Sequence, residues 1–438
     1  MSENPTKPDH LCVLVHGLWG NPSHMDSVAA ALRERHGNDR IEILCAKSNN
    51  GNYTYDGIEL GGERLAHEIE ETLETMNKNG QEIRKLSIIG YSLGGLVSRY
   101  AIGLLHAHGW FEKVEPVNFT TFATPHVGVR TPLMGMRGYF FNVLGAKTIS
   151  MSGQQLFMVD SFRDTGRPLL AVLAEPQSVF IQGLKKFPSR CAYANIVNDR
   201  AVAFYTSALA KVDPFQDLGN ININYVKDYD DVIINRDEYL LPENPNESTI
   251  SRLWKRAKAI VSQVPIFVLL VLLAPIVALV FLLNALIQTI RSRNRIHLHE
   301  TGKNGVRFGR YRIPLLMQNA QHAIEEVYEH ANAQQAPAYL SSADDENSEK
   351  VKSVSEEDGI LPAEAQAEEH THRFPKLALT PEQFAIIDSL NDVGIHRYPV
   401  HIQRHRHSHA AIIVRKPKTG FWEGKVVMKH WLDTEFVL

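Results

Sequence analysis

The chain has 438 residues, which at roughly 100–200 residues per domain means two to four units, or one large α/β domain carrying insertions. With 44 % apolar and 22 % charged residues it is neither collagen-like nor wholly disordered, and a mean hydropathy of −0.20 excludes a polytopic membrane protein. Lys and Arg number 46 against 49 Asp and Glu, a formal charge of −3 with no basic stripe of nucleic-acid-binding type, so nucleic acid is not the expected partner.

The 3 cysteines, Cys12, Cys45 and Cys191, are odd in number and far apart, which speaks for a reducing compartment rather than a disulfide framework. Residues 1–10 are polar, carry two prolines and lack the basic and apolar regions of a secretory signal, so a disordered, cytosolic N-terminus is expected. Ser2 does not suit N-myristoylation and the terminal EFVL is no prenylation box, so membrane contact has to come from inside the chain.

Residues 11–15 (LCVLV) read as a strand, followed by a helix over 24–36 with apolar residues at Met25, Val28, Ala29 and Leu32. IEILC (41–45) is a second strand, and 58–76 reads as an exposed amphipathic helix with Ile58, Leu65, Ile69, Leu73 and Met76 among glutamates. Leu86, Ile88 and Ile89 mark a third strand that runs into GYSLGGLVSRYAIGLL, a glycine turn continuing as a helix. VNFTTFA (117–123) and CAYANIV (191–197) are further strands. Alternation of this kind points to an α/β fold with a mostly parallel sheet covered on both faces.

The composition changes after about residue 250. Ala259 to Ile290 is 32 residues without a charged side chain, flanked by Arg252, Lys255, Arg256 and Lys258 before and Arg291, Arg293 and Arg295 after. A helix is expected within 313–332. Residues 341–370 then hold ten acidic side chains against two lysines, the signature of a solvated linker. The expected division is an α/β-hydrolase core at 11–250 with an apolar cap at about 126–185, a hydrophobic membrane-embedded hairpin at 251–295, an amphipathic helical region at 296–335, an acidic disordered linker at 336–372, and a C-terminal part, 373–438, that completes the core.

Gly90-Tyr91-Ser92-Leu93-Gly94 fits G-x-S-x-G between a strand and a helix. A serine on that sharp turn sits in strained backbone, and the positions two before and two after must lack Cβ for strand and helix to approach. The turn aims the Leu93 amide at a developing oxyanion, and the amide of Leu18, in the loop after the first strand, is the second expected donor. His16 precedes the serine and reads as a loop-orienting residue, because the hydrolase order is Ser, acid, His. Asp199 follows CAYANIV at a strand's carboxyl end and is the expected acid, with Asp160, Asp164, Asp213 and Asp230 as rivals. Among the late histidines His409, before Ala410-Ala411-Ile412-Ile413-Val414, is the expected base and His407 the alternative. His405, His407 and His409 would share a face on a strand, but no cysteine or carboxylate interrupts them, so a metal site is not expected. The chemistry needs no metal or other cofactor.

Together HGLWGN, GYSLGG, FATPHVGVR, ANIVNDRAV and HSHAAIIVR resemble the fungal putative serine esterase family, over residues 11–230 and 373–438. The resemblance implies an α/β-hydrolase acting on acyl esters of lipids, supports Ser92, Asp199 and His409 individually, and places Thr124-Pro125-His126 on the loop after a central strand. One departure from the family pattern is Ala203, which stands after Val202 where proline is usual.

The methionines and aromatics between Pro125 and Leu184 suit an adaptable cap over an acyl pocket. Ser92 and Asp199 precede the uncharged segment and His409 follows it, so a single membrane crossing would separate the triad. Two arms of about 13 residues reach roughly 20 Å, with Pro275 at the bend, which favours a monotopic hairpin in one leaflet over two full spans. The expectation is a serine lipase or phospholipase on the lipid-droplet surface or the cytosolic face of the endoplasmic reticulum, with phospholipid or acylglycerol as substrate and a lipid monolayer or membrane held through 259–290. A thioesterase or transacylase could use the same triad, and a catalytically weak lipid-surface scaffold is the non-enzymatic rival.

Overall fold

The computed structural model describes residues 7–129, 150–242 apart from 217 and 220, 283–301 apart from 284, and 377–438. Its strands, in chain order, are β1 (His10–Val15), β2 (Ile41–Cys45), β3 (Lys85–Tyr91), β4 (Glu115–Phe122), β5 (Ser189–Asn195), the two-residue pair β6 (Asn222–Ile223) and β7 (Leu240–Leu241), and β8 (His396–Val400). Six of them form one sheet in the order β2-β1-β3-β4-β5-β8, and every pairing in it is parallel. All six carboxyl ends therefore meet at one edge. Parallel strands need covered faces, and β1, β3 and β4 are buried along nearly their whole length.

The helices are α1 (Asp26–His36), α2 (Ile58–Lys78), α3 (Leu93–Ala107), α4 (Val179–Lys185), α5 (residues 285–300), α6 (Pro381–Asp392) and α7 (Trp422–Thr434), with shorter helical turns between them. Side chains alternate across the sheet. Leu11, Val13 and Val15 of β1 pack into the layer of α2, α3, α4 and α6, whereas Cys12 and Leu14 pack into that of α1 and α7. Trp431 of α7 is fully buried, donates its indole N–H to Thr120 Oγ1 at 2.9 Å and meets Phe122 edge-on. The last sixty residues thus supply an edge strand and a covering helix of the core. Pro399 lies within β8, which an edge strand tolerates.

The reading of α2 as exposed needs correction. Its Glu63, Glu68 and Glu70 are buried, and each has a partner. Glu68 accepts the Lys47 and Ser48 amides, Glu70 meets His108 and Trp110, and Glu63 Oε2 lies 2.6 Å from His299 Nε2 of α5. A glutamate row that looks solvated in sequence is covered by neighbours that bring donors.

Helix α5 docks through one stripe: Ala285, Gln288, Ser292 and His299 are buried. Arg295 grips the Asp56 carboxylate at 2.7 and 2.8 Å and the Asn52 carbonyl at 3.0 Å. The boundary expected at 295 falls inside this helix. Most of the expected hairpin, the helix at 313–332 and the acidic linker lie outside the described residues, as does 130–149 of the expected cap. Among the described residues no helix is long and apolar enough to cross a membrane.

Candidate active site

Ser92 stands at the β3–α3 junction with φ +55° and ψ −128°, a backbone conformation strained for a residue with a side chain. The flanking glycines are sterically required. A Cβ on Gly90 would lie 2.4 Å from Gly95 Cα, and one on Gly94 would lie 2.3 Å from the Val15 carbonyl oxygen. The Ser92 amide donates to Phe122 O at 2.9 Å, fixing the turn to β4.

His409 Nε2 lies 3.0 Å from Ser92 Oγ, and its Nδ1 lies 2.9 Å from Asp199 Oδ2. With Asp199 ionised, Nδ1 carries the ring proton and Nε2 is free to accept the serine proton. Asp199 is further held by the Ala201 and Val202 amides on Oδ1, at 3.0 and 2.8 Å, and by Asn195 Nδ2 on Oδ2 at 2.8 Å. Burial pushes its carboxyl up, but His409 and these donors outweigh burial and hold it below the ordinary value.

The loop carrying His409 is tied down locally. Ser408 Oγ donates to Val197 O at 2.7 Å, joining the base to the acid loop, and the Tyr91 ring packs 5.1 Å from the His409 ring. Sequence reasoning passed over Tyr91, Asn195 and Ser408. Their signal was adjacency: one precedes the nucleophile, one lies four residues before the acid, one precedes the base.

Leu93 is the first residue of α3, and Gly17 lies so close to Ser92 that a Cβ there would come within 2.7 Å of the serine Cβ. In the loop after β1 the Trp19 amide is engaged by Thr54 Oγ1 and the Gly20 amide by Gly17 O, both at 3.0 Å. The Leu18 amide has no such tie among the described residues. His16 is buried with Nδ1 3.1 Å from Gly17 O, within the loop as expected rather than on Ser92.

The rivals lie elsewhere. Asp160 accepts the Leu169 amide, Asp213 the Phe215 amide, and Asp230 sits in a turn. His405 and His407 occupy the loop after β8, not a strand, and the His407 amide donates to His405 Nδ1. Among the described residues no group of three His, Cys, Asp or Glu side chains could hold a metal. His126 of the Thr124-Pro125-His126 loop is fully buried with Nε2 2.9 Å from Thr121 Oγ1.

Residues 5–211 match the family model described as putative serine esterase (DUF676). The match covers just under half of the chain. It contains Ser92 and Asp199, while His409 comes from beyond it, so geometry alone brings the third residue in. The putative lipase ROG1 of Saccharomyces cerevisiae is 34 % identical over 214 residues, 48 % of this chain and 30 % of that protein. The putative lipase C4A8.10 of Schizosaccharomyces pombe is 32 % identical over 211 residues, 47 % of this chain and 26 % of that protein. The chain thus spans about a third or less of the length of these curated relatives. Among solved structures, the rice cell wall degrading esterase LipA of Xanthomonas oryzae aligns at 14 % identity and a TM-score of 0.24, over 36 % of this chain and 46 % of that one. The α/β-hydrolase assignment rests on the parallel sheet and the elbow.

Proposed function

We propose that the protein is a serine lipase or phospholipase that hydrolyses acyl esters of lipids. The observation that carries this is the hydrogen-bonded chain from Ser92 through His409 to Asp199 at the carboxyl edge of the sheet. His409 Nε2 takes the serine proton as Oγ attacks the ester carbonyl, and the amides of Leu93 and Leu18 receive the oxyanion. The C–O bond to the alcohol breaks, with His409 returning the proton to the leaving oxygen. Water, deprotonated by the same nitrogen, then releases the fatty acid from Ser92. Asp199 orients the ring and stabilises its cation.

A lipid substrate is supported by the uncharged run from Ala259 to Ile290. On this reading the enzyme is monotopic and works at a lipid droplet or the cytosolic face of the endoplasmic reticulum.

The test is acyl release from a panel of phospholipids and triacylglycerol, comparing the protein with Ser92→Ala at matched circular dichroism. Release that disappears in the variant is the expected result. Release that persists, or is absent from both, overturns the reading.

A further inference from the structure

Contacts of α5 descend in step with α2. Ser292 meets the Tyr55 carbonyl, Arg295 meets Asp56, and His299 meets Glu63, so α5 runs parallel to α2, away from the carboxyl edge of the sheet. Residues before Ser292 therefore stand at or beyond that edge. There Leu283, Leu286, Ile287 and Ile290 are 47–58 % exposed, and the helix changes at once to exposed Arg291 and Arg293. An aliphatic turn followed by arginine is the pattern of a helix leaving lipid at headgroup level.

The same edge is basic at its other end. From His401 to Gly420 there is no acidic residue, and Arg404, Arg406, Arg415, Lys416 and Lys418 lie in the loop after β8 and in the segment beyond the Ser408–Ala411 turn. The two stretches are neighbours: His405 meets Phe421 edge-on at 4.6 Å, and the Arg404 guanidinium lies over the Trp422 ring. Arg406, Lys416 and Lys418 are exposed. Between the two ends Trp19, in the loop after β1, is 51 % exposed.

We propose that this edge is a lipid-docking face and that the basic arm, residues 404–418, seats it on anionic phospholipid. The proposal deepens the lipid-hydrolase reading and rests on it. Aliphatic side chains of α5 enter the acyl layer, Arg291 and Arg293 mark the phosphate plane, and the arm binds lipid phosphates beside the mouth above Ser92. Charge complementarity selects the occupant. Three exposed cations, Arg406, Lys416 and Lys418, in a stretch without an acidic residue suit a surface of fixed negative charge, and the aliphatic end of the same edge suits a lipid one.

The test uses the full chain carrying Ser92→Ala, so that binding is read without turnover. Co-sedimentation is measured with phosphatidylcholine vesicles and with vesicles containing roughly one-third phosphatidylserine. Replacing Arg406, Lys416 and Lys418 with serine should weaken binding to the mixed vesicles on the order of 100-fold at low salt, about fivefold per charge, and leave binding to phosphatidylcholine unchanged. The parent's affinity for mixed vesicles should also fall steeply with added salt, a measurement that needs no variant. Equal binding by parent and variant, equal loss on both vesicle types, salt-independent binding, or capture by polyglutamate but not by vesicles would overturn the proposal. Hydrolysis of a short soluble ester by the unmutated enzyme reports the catalytic reading separately.

Discussion

The hydroxyl of Tyr91 donates to the backbone carbonyl of His409 at 2.8 Å, so the residue before the candidate nucleophile holds the candidate base. Serine and histidine are 317 positions apart in the chain, yet this bond fixes their separation from the strand side. Tyr91→Phe keeps the ring and deletes the bond, leaving a carbonyl without its donor. A loss of about 1 kcal/mol in positioning corresponds to a five- to tenfold lower kcat with KM little changed, measured on a short soluble ester. A lower Tm with kcat intact would make the bond purely structural.

Backbone strain at Ser92 gives a second expectation. A side chain at φ +55° costs about 1–3 kcal/mol, which glycine avoids. Ser92→Gly and Ser92→Ala should both lose ester hydrolysis, but the glycine variant should melt higher than the alanine variant. Calorimetry on the pair reads the difference, and equal midpoints would remove strain from the account.

Asp160 supplies a pH dependence. Burial raises its carboxyl from 3.8 to about 6, against the opposing hydrogen bond from the Leu169 amide. The folded chain thus binds this proton more tightly than the unfolded one. The associated stability is present below the unfolded value and is lost as pH rises through about 6. Asp160→Asn carries no such loss. Its Tm relative to the parent should climb across that interval by the equivalent of roughly 1–2 kcal/mol, after allowance for partial exposure. A constant difference between the two proteins would refute the assignment.

Trp431→Ala tests whether the C-terminal helix is integral to the core. The indole is fully buried, bonded to Thr120 and stacked edge-on against Phe122 and Phe436. Truncation should cost about 3–5 kcal/mol in urea denaturation, because the cavity would open against the central strand β4. A loss under 1 kcal/mol would mean that α7 is an appendage.

The elbow was legible because its constraint is steric: Gly90 and Gly94 are the residue type that the approach of backbone to backbone demands. Asp199 could be reached from its place after an apolar strand. The base was harder, since His405, His407 and His409 lie in a loop and a helical turn where sequence carries no register. Tertiary placement distinguishes them, through Ser408 on Val197, Tyr91 on the His409 carbonyl and the His409 ring between Ser92 and Asp199. Strand β8 was invisible for a different reason. HRYPV holds two cationic-type side chains and a proline, which suit an edge strand and break the apolar pattern that reveals a central one. The burial of the α2 glutamates depended on Lys47, Ser48, His108, Trp110 and His299, partners from other elements.

Strand β8 and His409 come from the end of the chain, after the uncharged run at 259–290. During synthesis the β5 edge stays open, and Ser92 lacks its histidine partner, until residues 396–409 have left the ribosome. On the proposed reading, a nascent chain therefore presents its serine before it is able to use it. On the same reading, premature termination before residue 396 yields an inert product with an open sheet margin.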